Sequence, residues 1–369
     1  MIRILHSVSN MDRAGIETML MNYYRHIDRK EVQFDFLCNK KKPGAYDEEI
    51  RSLGGKIYHT PGLNPFKYLT YLKYMKKFFL ENDCYRIVHA HNGAFVVYPL
   101  FAAKVNGIEN RISHVHSASF TVDYKWPLKI FCKRFISLVT TNKWACGKVA
   151  AKFYYGDKAV LKGETKVINN AIEVERFIYN PEKREELRRK YNLENNIVIG
   201  HAGRFSSQKN HTFLIDIFDE IRKINPNTRL VLLGDGELED TIKEKVQRLN
   251  LTEYVLFLGN VKNVNEWYQA FDVFVLPSIW EGLPVVGVEA QAADLPCVFS
   301  EDITDEIKII SKTKFLNRDL EKVKWAQEIL ESAKIKERKD QREVIKDAGY
   351  DIRYEAEKLV MLYKQMIKI

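Results

Sequence analysis

Short runs of apolar, often β-branched residues alternate along the chain with longer segments in which apolar residues recur every three or four positions. The short runs are typical of buried parallel strands, and the longer segments are typical of amphipathic helices. The predicted strands are residues 2–8, 34–38, 56–59, 85–91, 111–116, 196–201, 229–233, 255–258, 272–276 and 296–299. The predicted helices include residues 17–26, 66–81, 210–224 and 238–249. This βαβα order predicts an α/β protein with doubly wound parallel sheets.

The alternation pauses near residues 172–181 and then starts again. A strand is expected just before Asn169, and Pro181 opens a charged helix. Since domains usually hold about 100–200 residues, the 369-residue chain is divided into a first domain over residues 1–175 and a second over residues 176–350. Residues 351–369 form a predicted C-terminal amphipathic helix. Its apolar face contains Ala356, Leu359, Val360, Leu362 and Tyr363.

The composition is that of an ordinary globular protein, with 46% hydrophobic and 29% charged residues. Residues 2–8 are too short and too polar for a secretory signal core, and they fit a first strand better. The most apolar run, residues 94–103, has about half the length that a membrane span needs. The five cysteines show no metal-binding spacing, so reduced thiols are expected. A cytoplasmic protein is therefore predicted.

The net charge of +9 is concentrated in the first half of the chain. Residues 1–175 contain 27 Lys+Arg against 16 Asp+Glu, whereas the remainder contains 31 against 33. A basic domain suggests an anionic partner, such as a membrane surface or a phosphorylated lipid. Nucleic acid is disfavoured because no nucleic-acid-binding motif accompanies the charge.

Two stretches mix basic and aromatic residues. Residues 50–80 contain no acidic residue and interleave six cations with aromatic residues such as Phe66, and residues 124–135 repeat the mixture. Such segments suit an interfacial helix that lies on an anionic membrane, which predicts a peripheral association on its cytoplasmic face. The alternative is that the aromatic residues pack in the core while the lysines face water.

Candidate chemistry follows the predicted strands of the second half, because ligands of open α/β sheets bind beyond the carboxyl ends of the strands. Gly203 and Arg204 follow one strand, and Lys209 precedes a helix, which places two cations where an anion is favoured. Taken alone, this is as often a surface basic pair. Gly234 belongs to a Gly-x-Gly turn that lacks the third glycine of a dinucleotide fingerprint. Val261 lies beyond a further strand, where the backbone could bracket a flat base.

The strongest pattern is a pair of glutamates, Glu281 and Glu289, with seven residues between them. The first is predicted on a turn and the second on the following helix. The amides of Gly282 and Leu283 lie where a helix begins, so they are free to meet an anion or a sugar hydroxyl. Carboxylates accept hydrogen bonds from vicinal hydroxyls, which suits a sugar or a ribose.

This Glu-x7-Glu motif, preceded by Gly-Arg-x4-Lys, resembles the C-terminal domain of the family-4 glycosyltransferases, which are retaining enzymes of GT-B fold. The chain is similar along essentially its whole length to the members that assemble capsules and exopolysaccharides. The resemblance implies two Rossmann-like domains facing a cleft, an acceptor-binding first domain, a donor-binding second domain, and a C-terminal helix that returns to the first domain.

The resemblance also implies roles for the residues of the second domain. Arg204 and Lys209 resemble the pair that holds the donor diphosphate, Glu281 the residue facing the transferred sugar, and Glu289 the ribose ligand. Gly282 and Leu283 resemble the amides near the β-phosphate, Gly203 and Gly234 allow close backbone approach, and Val261 resembles the base-binding stretch.

In the first domain the match is looser. Gly15 resembles the family's glycine loop near the diphosphate, although a helix-capping turn explains it equally well. His116 lies where the family places a histidine near the donor sugar, and His114, two residues earlier, is the other candidate. His89 or His91 could line the acceptor site, but packed strand histidines are the simpler interpretation.

The sequence thus predicts retaining transfer of a hexose or N-acetylhexosamine from a nucleotide-diphosphate sugar, with UDP expected, to a lipid-linked saccharide. No Asp-x-Asp occurs, so no metal or other cofactor is expected, and Arg204 and Lys209 would supply the positive charge. Two alternatives stay open: a nucleotide-sugar epimerase of GT-B fold, and a non-catalytic partner in a polysaccharide assembly complex.

Overall fold

The computed structural model of the chain describes residues 1–64, 67–120 and 123–367, which fall into two units. The first unit comprises Met1–Ala171 and Ile352–Ile369, and the second comprises Ile172–Asp351. The sequence analysis placed a boundary at residue 175, and the units divide between Ala171 and Ile172. Ile172 belongs to the second unit because it forms a parallel bridge with Asp351 and packs in the core of that unit.

A seven-stranded parallel sheet forms the first unit in the described part of the chain. Its strands are β1 (Ile2–Val8), β2 (Val32–Cys38), β3 (Ile57–His59), β4 (Ile87–Ala90), β5 (Asn110–Val115), β6 (Asn142–Ala145) and β7 (Thr165–Val167). Their spatial order is β3-β2-β1-β4-β5-β6-β7. The helices are α1 (Gly15–His26), α2 (Asp47–Ser52), α3 (Tyr68–Glu81), α4 (Val97–Val105), α5 (Trp126–Lys133), α6 (Ile136–Val139), α7 (Lys148–Tyr155) and α8 (Asp157–Leu161).

A six-stranded parallel sheet forms the second unit, again within the described residues. Its strands are β8 (Ile197–Ala202), β9 (Thr228–Leu233), β10 (Val255–Phe257), β11 (Val273–Leu276), β12 (Cys297–Ser300) and β13 (Thr313–Leu316). Their order is β10-β9-β8-β11-β12-β13. The helices are α9 (Pro181–Lys190), α10 (His211–Ile224), α11 (Glu239–Arg248), α12 (Val264–Ala270), α13 (Val285–Ala292), α14 (Lys322–Ser332) and α15 (Arg342–Asp347).

The last helix, α16 (Ile352–Ile367), belongs to the first unit. Its buried face consists of Ile352, Ala356, Leu359, Val360 and Tyr363. These side chains join the core cluster formed by β1, β2 and α1. The predicted return of the C-terminal helix to the first domain is therefore confirmed.

Both sheets reverse their strand order once, between β1 and β4 in the first unit and between β8 and β11 in the second. The predicted doubly wound α/β fold is confirmed, and each predicted strand lies within two residues of an observed one. Residue 66, the predicted start of α3, lies outside the described residues. Two strands were not predicted, β6 and β13, because each has only two apolar residues and lacks a continuous apolar run.

Across residues 1–64, 67–120 and 123–367, no helix combines the length and the apolar character needed to cross a bilayer.

Candidate functional site

The loops that follow β8 and β11 meet at the carboxyl edge of the second sheet, because these two strands are parallel neighbours. The Ile279 N–H donates a hydrogen bond to the Gln208 carbonyl (2.8 Å), and the Asn210 side-chain amide donates one to the Pro277 carbonyl (3.3 Å). These contacts hold the two loops side by side. The predicted Lys209 and Glu281 are thereby brought together.

Lys209 and Glu281 form an ion pair, with 2.7 Å between Nζ and Oε1. Only 14% of the lysine side chain and 8% of the glutamate side chain are exposed. The Ser278 hydroxyl donates to Oε1 of the glutamate (2.8 Å), and the Gln208 side-chain amide donates to Oε2 (3.1 Å). A partly buried pair with further hydrogen bonds has a defined geometry, so the carboxylate is oriented before any ligand arrives.

Gly203 and Gly234 bring two neighbouring loops into close backbone contact. The Gly203 N–H donates to the Leu233 carbonyl (2.9 Å), and the Gly234 N–H donates to the Gly259 carbonyl (2.8 Å). Gly234 has φ +126°, and a Cβ atom there would lie 2.2 Å from the Gly203 carbonyl oxygen. Position 234 therefore requires glycine on two independent grounds.

The start of α13 faces the same edge. Within the described residues, no hydrogen bond is found for the N–H groups of Gly282 and Leu283, which lie just before Pro284, the N-cap residue of this helix. The Leu283 side chain packs in the core and anchors the turn. Free amides at a helix N-terminus carry partial positive charge, so they and Lys209 offer donors suited to an anion.

Arg204 has a different carboxylate partner from Lys209. Its side chain is 73% exposed and forms an ion pair with Glu237 (3.1 Å), which lies in the loop after β9. The Lys209 side chain lies against Gly203, the residue before Arg204, where a Cβ atom would be 3.0 Å from the lysine Cδ. The predicted role of Arg204 stays a prediction.

Glu289 lies on α13 and accepts a hydrogen bond from the Tyr268 hydroxyl (2.8 Å). Burial raises the pKa of this carboxyl, while the Tyr268 hydrogen bond and the Arg176 charge act in the opposite direction. Val261 is partly buried against the core that Tyr268 also joins. Neither the ribose role of Glu289 nor the base-binding role of Val261 is tested by these contacts.

In the first unit, Gly15 begins α1, and a Cβ atom there would meet no protein atom within 4 Å. The protein's own packing therefore does not require glycine at position 15, and space remains at the N-terminus of α1. A cavity of about 640 Å³ opens beside this helix, and Ile16, Glu17, Lys40 and His91 are among its lining residues.

The predicted histidines lie on one face of β4 and β5. His114 is buried within β5, whereas His116 lies beyond the end of the strand and is partly exposed. His116 is therefore the more accessible of the two candidates. His91 lines the cavity, and His89 is packed inside the unit, where its Nδ1 lies 2.8 Å from the Tyr363 hydroxyl. Which histidine approaches a sugar stays a prediction.

Several polar partners were missed by the sequence analysis. Ser278 lies only three residues before Glu281, so proximity could have suggested it. Tyr268 contacts Glu289 from α12, a different helix, and no local pattern indicates this. The same holds for His6 on β1, whose Nδ1 lies 3.0 Å from His91 Nε2.

Two Rossmann-like units, with a Gly-Arg-x4-Lys loop and a Glu-x7-Glu helix start on the second, define a glycosyltransferase of GT-B architecture. The crystal structure of HepE from Anabaena in complex with UDP-glucose has the same fold. It superimposes with a TM-score of 0.77 at 19% identity and covers 99% of this chain and 100% of HepE.

The model of the family "Glycosyl transferases group 1" matches residues 183–351. EpsF of Bacillus subtilis, a protein named as a glycosyltransferase, is 37% identical over 309 residues, which cover 83% of this chain and 80% of EpsF. The UDP-Gal:alpha-D-GlcNAc-diphosphoundecaprenol alpha-1,3-galactosyltransferase of Escherichia coli is 27% identical over 322 residues, or 81% of this chain and 79% of that protein. The chain belongs to the group 1 glycosyltransferase family, and the predicted resemblance is confirmed.

The glycine contact generates a test with a matched control. Gly234→Ala is expected to lower the free energy of unfolding by more than Gly259→Ala. Gly259 has φ +64° and open space at its Cβ position, so alanine there has only the left-handed backbone penalty of about 1–2 kcal/mol. Gly234→Ala adds a clash with a carbonyl oxygen. Urea unfolding followed by circular dichroism measures both, and equal losses would contradict the close approach.

Proposed function

We propose that the chain transfers a hexose or N-acetylhexosamine from a UDP-sugar to a lipid-linked saccharide during polysaccharide synthesis, with retention of configuration. The observation that carries this proposal is the Lys209–Glu281 pair beside the free amides that precede α13. It combines a cation and helix-terminal donors for a diphosphate with an oriented carboxylate for hydroxyl groups.

The relatives support the choice of donor and acceptor. HepE was solved with UDP-glucose, and the E. coli relative is named for transfer from UDP-Gal to a saccharide on diphosphoundecaprenol. A UDP-sugar donor and a lipid-linked acceptor are therefore the substrates that we assign to this chain.

In the proposed mechanism, the bond between the anomeric carbon and the diphosphate oxygen breaks first or nearly so. Lys209 and the amides of Gly282 and Leu283 stabilise the charge that develops on the leaving diphosphate. The acceptor oxygen bonds to the anomeric carbon from the face that the diphosphate left, which retains configuration. The acceptor proton passes to a leaving phosphate oxygen, so the step needs no additional base.

Glu281 has two functions in this proposal. Without a donor, its carboxylate neutralises Lys209. When the donor is bound, the diphosphate takes over as the partner of Lys209, and the carboxylate can accept hydrogen bonds from sugar hydroxyls. No metal is assigned to the donor phosphates, because the cation and the amides supply the positive charge.

A lipid-linked acceptor requires that the protein reach a membrane. We assign the membrane contact to residues 124–138 of the first unit. In this segment Trp126, Phe131 and Leu138 are 41%, 56% and 64% exposed, and Lys125 and Arg134 lie among them. Exposed aromatic residues with cations suit an anionic lipid interface, and the charge excess of residues 1–175 is complementary to it.

The other predicted membrane segment, in α3, is a poorer candidate. Tyr71, Phe78 and Phe79 are buried in the core of the first unit, while Lys73, Lys76 and Lys77 face solvent. These aromatic rings are not available to lipid, so α3 fits the alternative of an ordinary amphipathic helix. Phe66, another aromatic residue of that stretch, lies outside the described residues.

Donor binding is expected to depend on Lys209 and Arg204. Replacing either by alanine removes a charge-assisted contact worth about 1.5–3 kcal/mol, so the Kd for UDP should rise roughly 10- to 100-fold. Titration calorimetry measures this, and excess EDTA should leave the wild-type affinity unchanged. Lys223→Ala, on α10 and paired with Asp219 and Glu220, is the matched control. Unchanged UDP affinity in both site variants would refute the phosphate role.

Glu281 and Glu289 are expected to act at different steps. Glu281→Gln should lower turnover, because it changes the proposed ligand of the sugar hydroxyls. It should not weaken UDP binding, because it removes the negative partner of Lys209. Glu289→Gln should weaken UDP binding, because it changes the proposed ribose ligand. Turnover is followed as sugar transfer from a panel of UDP-hexoses to a diphosphoundecaprenol-linked saccharide, and donor alone should yield no epimer. Full turnover in Glu281→Gln, or wild-type UDP affinity in Glu289→Gln, would reject the corresponding role.

Membrane attachment is expected to require the exposed aromatic residues. The full chain should float with vesicles that contain anionic lipid but not with neutral vesicles, and Trp126→Ser with Phe131→Ser should abolish flotation. Leu69→Ser with Leu80→Ser, on exposed positions of α3, is the matched control and should float normally. Equal recovery of all proteins on both kinds of vesicle would contradict the assignment.

A further inference from the structure

Five histidines of the first unit form one connected group, which we call the histidine cluster: His6, His89, His91, His114 and His116. They come from β1, β4 and β5 and from the residues that follow β4 and β5. His6 is in register with His89, and alternate residues of a strand point to the same face of the sheet. The parallel register thus places imidazole rings from three adjacent strands side by side.

The cluster contains two series of hydrogen-bonding contacts. In the first, His6 Nδ1 lies 3.0 Å from His91 Nε2, and His91 Nδ1 lies 3.0 Å from His116 Nε2. In the second, the Tyr363 hydroxyl lies 2.8 Å from His89 Nδ1, and His89 Nε2 lies 3.2 Å from His114 Nδ1. The first series ends at His116 and the second at His114. These two rings lie beside each other, with their centroids 4.1 Å apart.

One buried nitrogen at this point has no partner. Among the described residues, no hydrogen-bonding group reaches His114 Nε2, although only 1% of this residue is exposed. A buried polar atom without a partner is destabilising, and such atoms in native proteins call for an explanation. A ligand that accepts nitrogen lone pairs would satisfy an unpaired imidazole nitrogen that lies beside two other histidines.

The hydrogen bonds are compatible with the histidine tautomers that such a ligand needs. If His114 donates from Nδ1 to His89, and His91 donates from Nε2 to His6, the lone pairs of His114 Nε2 and His91 Nδ1 stay free. Histidines that bind metals almost always donate their other ring N–H to an outer partner. His89 and His6 are positioned to be these outer partners.

We propose that His91, His114 and His116 form a binding site for a divalent transition metal such as Zn²⁺. One ring nitrogen from each lies within 4.8 Å of those of the other two. Tetrahedral zinc with nitrogen ligands needs separations of about 3.3 Å, so the rings must close in slightly around the ion. His116 is partly exposed, which gives this side chain room to move and gives the ion a path of entry.

The chemistry of the site favours this class of ion. Three neutral imidazoles suit zinc, copper, nickel or iron and disfavour calcium or magnesium, which prefer oxygen ligands. Imidazole binds metal ions through a ring nitrogen of its neutral form. Three protein ligands leave a fourth tetrahedral position for water or for an oxygen atom of a bound molecule.

All three ligands belong to the first unit, whereas Lys209 and Glu281 belong to the second. The sequence-based expectation of a chain without a metal site considered spacing along the chain alone, and the metal titration below tests it. His91 also lines the cavity beside α1, so an ion here would border that cavity.

The test is direct metal binding by the full chain, stripped with EDTA and then freed of chelator. Zinc titrated against a competing chromogenic chelator should bind at one equivalent and raise the Tm, and Co²⁺ should give the strong visible bands of a tetrahedral nitrogen site. His116→Asn and His114→Asn should weaken zinc binding at least 100-fold and abolish the cobalt bands. These readouts do not depend on glycosyl transfer.

His59→Asn is the matched control, because His59 lies on β3 and bonds to the Lys40 carbonyl outside the cluster. It should bind zinc as the wild type does. Thermal melts confirm that the variants are folded, and the wild-type cobalt spectrum tests the site even if one variant fails to fold. No zinc bound by the wild type, zinc bound equally by wild type and both cluster variants, or a cobalt spectrum without tetrahedral bands would overturn the proposal.

Discussion

The parallel pairing of strands at the point where each sheet reverses its order is the constraint on which the rest of this structure depends. Between β8 and β11 the connections leave in opposite directions, and the loops after the two strands are left facing each other at one edge. Lys209 and Glu281 meet there although 71 residues separate them in the chain. Between β1 and β4 the same reversal places the Gly15 helix beside His91, and a cavity lies there.

The ion pair in the second unit keeps a mostly buried lysine compensated when no ligand is bound. A buried lysine alone would be destabilising, and Glu281 offsets that charge while Ser278 and Gln208 hold the glutamate in place. Under the proposed function, Lys209 exchanges this carboxylate for the donor diphosphate. The interaction that stabilises the ligand-free protein would then oppose donor binding.

Much of the fold was predictable, because continuous apolar strands and amphipathic helices are local patterns. The strands β6 and β13 were missed because neither has a continuous apolar run, and pairing with a neighbouring strand defines each of them. The motif residues of the second unit were also found from sequence. Their partners were not, because Tyr268 and Gln208 reach the glutamates through tertiary packing. The histidine cluster was missed for the same reason, since His6, His91 and His116 are brought together only by strand register.

The C-terminal helix has a consequence for how the molecule is made. The core of the first unit contains Tyr363, which is fully buried, so this core stays incomplete until α16 has been synthesised. The second unit lies within residues 172–351, which precede α16 in the chain. Although the N-terminal domain usually folds first during synthesis, the first unit here cannot complete its core before the whole second unit has been made.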